Sequence, residues 1–299
     1  MDSRRALLVD AFTTEPLSGN AAGVVPDADG LDAKQMRAIA AELGASETAF
    51  VCSSAAADRR IRYFTPQQEV DLCGHATVAA HAHLAAERDL EPGTHTLETN
   101  VGTLDIELGD LGEVWMTQNA PTVRPLETDY DRLAAALGVD DAALRDVGAD
   151  LPVAVASTGL PFLIVPVNFL EHLSGADPDD AAIADLAADH DAAGVYAFTF
   201  DAIDGDSTLH ARCFAPGIGI SEDPATGTAA GACGAYLRQV GAFDSVPDEL
   251  RIEQGHFVDR PGTVRVRVGA EIRVGGRAVQ SLDGEIVVPE FADDDIIEA

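Results

Sequence analysis

A chain of 299 residues has room for one large domain or for two of roughly 150 residues each. Its 46% of hydrophobic residues suffices for a core of ordinary size. Fifty-one acidic against 19 basic residues give a net charge of −32, and a surface of that sign repels nucleic acid and anionic membranes. The first predicted strand is 6–11. A loop follows over 13–20, broken by Pro16 and Gly19. Residues 22–25 read as a strand and 32–43 as an amphipathic helix. Met36, Ile39, Ala40 and Leu43 share its apolar face, and Gly44 stops it. Strands are predicted over 46–52 and 60–65, then an Ala-rich helix over 76–88. Strands over 94–98, 102–108 and 114–118 follow, and 119–121 reads as a linker.

Beyond it, 130–137 and 141–147 are predicted helices, and 153–157 and 162–167 strands. Residues 178–189 form an acidic helix with Asp177 as the expected N-cap and Pro178 at its first position. Strands 194–201 and 208–214 lead to a second Ala-rich helix, 229–240. The closing strands are 250–254, 263–268, 271–274 and 285–288. Residues 292–299 read as an acidic, frayed tail.

The acidic residues are spread along the chain, as in proteins of a high-salt cytoplasm, and Lys34 is the sole lysine. Salt shortens the Debye length from about 30 Å at 0.01 M to about 3 Å at 1 M, which screens such self-repulsion. The melting temperature is therefore expected to rise from dilute buffer to about 1 M KCl; an unchanged value would count against this reading. Cys52, Cys73, Cys213 and Cys233 lack any C-x-x-C spacing and read as reduced thiols of a cytosol. The apolar run before Asp10 is only four residues long, which suits a strand and not a secretory signal. No stretch approaches the length of a membrane-spanning helix.

Two segments are variations on one theme. Asp71-Leu72-Cys73-Gly74-His75-Ala76-Thr77 and Glu222-Asp223-Pro224-Ala225-Thr226-Gly227-Thr228 each run into an Ala-rich helix. Cys73-Gly74-His75 aligns with Thr226-Gly227-Thr228, an offset of 226 − 73 = 153, about half the chain. Both helices stay uncharged as far as Glu87 and Arg238. A helix apolar all round belongs inside a domain. The expected fold is therefore α+β: two pseudo-symmetric domains, each a rolled, mostly antiparallel sheet around a central buried helix. The expected division is 1–119 and 120–291, with a last strand near 284–290 returning to the first domain. A duplicated fold would aim two helix N-termini at one site, where free N–H groups suit a carboxylate. No G-x-G-x-x-G lies between strand and helix, so a dinucleotide-binding reading fails.

Glu47 lies among small and apolar residues in Gly44-Ala45-Ser46-Glu47-Thr48-Ala49-Phe50. A solvated loop carboxylate is the ordinary reading of such a residue; partial burial would raise its pKa and suit it to move a proton. Asp223 before Pro224 can be explained as a helix cap alone. His75 at a helix start reads either as a hydrogen-bonded core residue or as a neutral donor to substrate. His81 and His83 are two apart and point to different faces, and neither is three or four from His75, so no metal is expected. Cys73 at a helix N-terminus could have a lowered thiol pKa.

Taken together, Asp10-Ala11-Phe12, Gly19-Asn20, Ser46 to Phe50, Phe64-Thr65-Pro66 with Glu69, Cys73 to Thr77, Gly102-Thr103, Arg212 to Pro216, Glu222 to Ala229 and Gln254-Gly255 resemble the PhzF family. That family is named for a phenazine-biosynthesis isomerase and shares the diaminopimelate epimerase fold. The resemblance implies two similar domains with a site between them, a homodimer, and no metal or organic cofactor. It implies that Glu47 moves a proton on a small carboxylated substrate such as a cyclic dihydro-hydroxyanthranilate. His75 and Asp223 would hold the substrate and shape the transfer. Asn20, Cys73, Gly74, Ala76, Thr226, Gly227 and Thr228 would surround it. Epimerases of this fold use two cysteines, but the second position here is Thr226, too weak an acid at neutral pH. Thr228 stands where the family usually has Ser. The leading expectation is a cytoplasmic, cofactor-independent isomerase. The alternatives are an amino-acid racemase using Cys73 or Glu47, and a carboxylate-binding protein without chemistry.

Overall fold

The computed structural model describes residues 2–145, 147, 151–245 and 247–291; the expected tail over 292–299 lies outside them. The first half contains β1 (Ser3–Ala11), β2 (Asn20–Val25), α1 (Ala33–Leu43), β3 (Thr48–Cys52), β4 (Arg59–Phe64), β5 (Glu69–Val70), α2 (Gly74–Ala86), β6 (Gly93–Thr99), β7 (Gly102–Leu108) and β8 (Val114–Thr117). The second contains β9 (Thr122–Pro125), α3 (Tyr130–Leu137), α4 (Ala142–Arg145), β10 (Ala154–Ser157), β11 (Pro161–Pro166), α5 (Leu170–Ser174), α6 (Asp180–Ala188), β12 (Gly194–Thr199), β13 (Leu209–Ala215), β14 (Ile220–Asp223), α7 (Gly227–Val240), β15 (Glu249–Gln254), β16 (Gly262–Val268), β17 (Ile272–Gly276) and β18 (Ala278–Val287). Among the described residues no helix is long and apolar enough to cross a membrane.

The pairing pattern repeats. In the first half β1–β2 is antiparallel, β2–β3 parallel, β3–β4 and β4–β5 antiparallel, β4–β6 parallel, and β6–β7–β8 antiparallel. From β10 the second half runs through the same order, with β13 parallel to β15 where β4 is parallel to β6. In each half the helix after the two short strands is enclosed: α2 buries Ala76 to His81, and α7 buries Ala229 to Leu237. The rolled sheet around a buried helix, made twice, is the diaminopimelate epimerase-like α+β fold. One continuous core contains both enclosed helices. A second packs α3 to α6 outside the second sheet, and a third packs α1 outside the first.

Local chemistry explains the helix ends. Asp32 caps α1 by accepting from Gln35 N while its own N–H donates to the Gln35 side chain, and Gly44 ends the helix at φ +70°. The cap of α6 is Asp179, which accepts from Ala181 N and Ala182 N; the expected helix start at Asp177-Pro178 is corrected by two residues. Of the expected helix 141–147, the described residues contain α4, Ala142–Arg145; residue 146 lies outside them. Four elements were not expected: β5, β9, β14 and α5. Each spans five residues or fewer, too short for a periodic signal. The last strand starts at Ala278 and pairs with β1 from Ser3↔Val287 to Ala11↔Ala278. Gly284 and the charged Asp283 and Glu285 hide it in the sequence.

Arginine joins the halves. Arg260 donates to buried Asp10 (2.8 Å) and to the carbonyls of Ser18 and Gly19. Where β8 pairs with β17, Arg273 and Arg267 meet Glu107, and Arg265 meets Glu113. Phe12, at φ +64°, is buried against Gly227 and Gly276 of the second half.

Candidate active site

Three segments converge between the halves. Glu47 stands just before β3, and its carbonyl accepts from Gly23 N at 3.0 Å, which fixes the backbone beneath the side chain. Cys73 is the N-cap of α2 and Thr226 that of α7, and neither side chain makes a capping hydrogen bond. Glu47, Cys73, Gly74, His75, Asp223, Thr226, Gly227 and Thr228 all line one cavity of about 220 Å³. A Cβ on Gly74 would meet nothing within 4 Å, so that helix start is open. Among the described residues no Arg or Lys lines the cavity, so an anion there would be held by helix N-termini and hydroxyls.

His75 lies at the centre. Its Nε2 is 3.5 Å from Glu47 Oε2, with both side chains largely covered, and its Nδ1 is 3.4 Å from Cys73 Sγ. Asp223 ends β14 and does not cap α7, which corrects the capping explanation: it lies three positions before the cap, Thr226. The Asp223 carboxyl accepts from Asn20 Nδ2 at 2.9 Å and from the Thr226 hydroxyl. Burial pushes the Asp223 pKa up; the neighbouring His75 and the Thr226 hydrogen bond pull it part of the way back.

Burial and the neighbouring Glu47 push the Cys73 thiol well above its ordinary range; N–H groups of Ala76 and His75 only partly oppose this. The expectation of a helix-lowered thiol is thus overturned: desolvation outweighs the helix terminus. Asn20 and Ala76 are buried and do not line the cavity. Asn20 acts on it through Asp223 and the Ala225 carbonyl. His81 is enclosed, bonded to the Thr77 carbonyl at 2.9 Å, and its burial lowers its pKa to about 4.

Sequence reasoning passed over Gln254 as a site residue, although Gln254-Gly255 lay in a matching segment. Its amide donates to the Asp223 carbonyl (2.7 Å) and the Thr226 hydroxyl (3.0 Å) and accepts from Thr226 N. Gly255 lets the chain turn there at φ +83°; a Cβ would lie 2.3 Å from the Arg260 carbonyl. The apolar wall was also missed. Val70, Leu72, Leu160, Phe162, Ile218 and Ile220 come from strands and turns of both halves, and no single segment carries them as a pattern.

The phenazine biosynthesis-like protein family (PhzC-PhzF) matches residues 9–284. The uncharacterized isomerase YfhB of Bacillus subtilis is 37% identical, covering 97% of this chain and 98% of its own. The trans-2,3-dihydro-3-hydroxyanthranilate isomerase of Pseudomonas chlororaphis is 32% identical, covering 94% and 99%. Among solved structures, the PhzF-family phenazine biosynthesis protein of Bacillus anthracis superposes with a TM-score of 0.88 at 35% identity, covering 96% of this chain and all of that one.

Proposed function

The chain belongs to the phenazine biosynthesis-like family of isomerases, and from that premise we propose that it shifts a proton between carbons of a small carboxylated substrate without a cofactor. One observation carries this reading. The Glu47 and Asp223 carboxyls and the His75 imidazole line a single cavity at two helix N-termini. The substrate carboxylate takes the N–H groups at Gly74 and Gly227, and its apolar body rests on Phe162 and Ile220. Glu47 removes a proton from one carbon and returns it to another. His75, with the Glu47 carboxyl 3.5 Å from one edge, steadies the charge that develops. Asp223, held by Asn20 and Thr226, positions the substrate's polar groups. Thr228 keeps a hydroxyl at the cavity wall and adds a methyl that narrows it.

The substrate is to be sought among cyclic acids of the dihydro-hydroxyanthranilate kind, which the Pseudomonas chlororaphis relative is named for. The two domains, 1–119 with the last strand and 120–291, form the two walls, and the working unit is a cytoplasmic homodimer. The test is a screen of small acids in D₂O and about 1 M KCl, with NMR detection of deuterium at carbon. Exchange that persists in Cys73→Ser supports the one-carboxylate isomerase. Exchange at an α-carbon that Cys73→Ser abolishes would instead identify a racemase. Tight binding with no exchange at any carbon would identify a binding protein and sink the proposal.

A further inference from the structure

A second cluster lies in the second half, outside the candidate active site. His210 on β13 and Glu253 on β15 are partners in the parallel register, so their side chains leave the sheet on one face. The turn at Gly255 then brings His256 back over His210, with ring centroids 5.0 Å apart and His210 Nε2 3.1 Å from His256 Nδ1. The three residues offer donor atoms that all lie within 4.8 Å of one another.

Two features of this cluster are unusual for a packed interior. Glu253 is 2% exposed, yet among the described residues it has no cationic side chain at ion-pair distance. Its two oxygens accept only the backbone N–H groups of Ile203 (2.8 Å) and Asp204 (2.6 Å). Buried carboxylates are ordinarily paired or bound to a metal. His210 is 0% exposed; its Nε2 faces His256 Nδ1, and among the described residues its Nδ1 finds no hydrogen-bond partner.

The geometry points to a divalent transition-metal site of the zinc class, with His210, Glu253 and His256 as ligands. Two imidazole nitrogens and a carboxylate suit that class and not calcium or magnesium. Nitrogens 3.1 Å apart subtend about 100° at an ion about 2.0–2.1 Å from each, near the tetrahedral value. Glu253 and His256 also line a cavity of about 620 Å³, through which an ion and a water ligand can enter. Two of the arginines on that cavity are engaged by carboxylates: Arg265 by Glu249 and Glu113, and Arg251 by Asp206. Arg212, near His210, is held by Glu222. The Glu47, Cys73 and His75 donors form the competing cluster, likewise within 4.8 Å of one another.

The test uses the full chain, stripped with chelator and titrated with Co²⁺, then with Zn²⁺ as competitor. The expected result is one equivalent of Co²⁺ with a visible spectrum of nitrogen and oxygen ligation, displaced by Zn²⁺. His256→Gln and Glu253→Gln should each weaken binding by more than about 100-fold, beyond the roughly 10–100-fold that outer-shell partners contribute. Cys73→Ser should leave it unchanged. A sulfur-to-cobalt charge-transfer band in the unsubstituted protein would place the ion at Cys73 and overturn the assignment whether or not the variants fold. So would an absence of binding, or undiminished binding in folded His256→Gln.

Discussion

Glu47→Gln is expected to lower the rate of carbon-bound proton exchange by about 10²–10⁴-fold, the usual contribution of a positioned acid/base, while leaving substrate affinity within a few fold. Gln has the shape of Glu and can still meet His75 Nε2, now 3.5 Å from the Glu47 carboxylate. It cannot take up a proton. The backbone under it is fixed by the Gly23 N–H and by the helix stop at Gly44, so the substitution leaves the fold alone. The measurement is deuterium incorporation by NMR on a substrate identified from the screen, with affinity measured separately. Full exchange in the variant would remove Glu47 from the chemistry. Unchanged exchange chemistry with lost binding would make it a binding residue.

The largest loss of stability is expected at Arg212, away from the reacting atoms. Its guanidinium makes a paired fork with Glu222 (2.9 and 2.7 Å) and donates to the carbonyls of Leu173 and Ala176. It also lies over the rings of Phe214 and Phe257. Only 7% of the Arg212 side chain and 12% of the Glu222 side chain are exposed. Arg212→Ala leaves Glu222 buried and uncompensated, a change that costs about 3–5 kcal/mol. Arg212→Lys keeps the charge but loses the fork, and should recover little. Denaturant titration in high salt measures this as a fall in midpoint at unchanged slope. Glu222 immediately precedes Asp223 on β14, so activity should fall with stability. The exposed Arg145, paired with Asp131 and Asp141, is the control. If Arg212→Ala costs no more than Arg145→Ala, the buried fork is not the anchor described.

Much of the fold is legible along the chain because its signals are local. The Ala-rich runs after Gly74 and Gly227 carry no charge for many residues, and only enclosed helices can be built from such runs. Their spacing by half the chain exposes the duplication. Asp32 and Gly44 frame α1 through capping and left-handed backbone, both short-range effects. The elements that escaped detection lack such signals. β5 has two residues and β14 four, and each is held by the strand beside it. β18 is held by β1, some 270 residues away in sequence, and not by its own pattern.

The site divides along the same line. The sequence by itself determined which residue types head the two enclosed helices, and the asymmetry of Cys73 against Thr226. It singled out Glu47, His75 and Asp223, which the tertiary structure brings to one cavity. Their electrostatic states came from packing alone. Burial raises the Cys73 thiol where a helix terminus in isolation would lower it. Asp223 is a hydrogen-bonded carboxyl in a cavity wall, with its pKa raised by burial, and not a cap. Gln254, the apolar wall and the cluster of His210, Glu253 and His256 follow from strand register and one tight turn. Helix ends and apolar runs depend on neighbours a few residues away. Desolvation and register depend on which distant segments close over a group, and only the folded chain decides that.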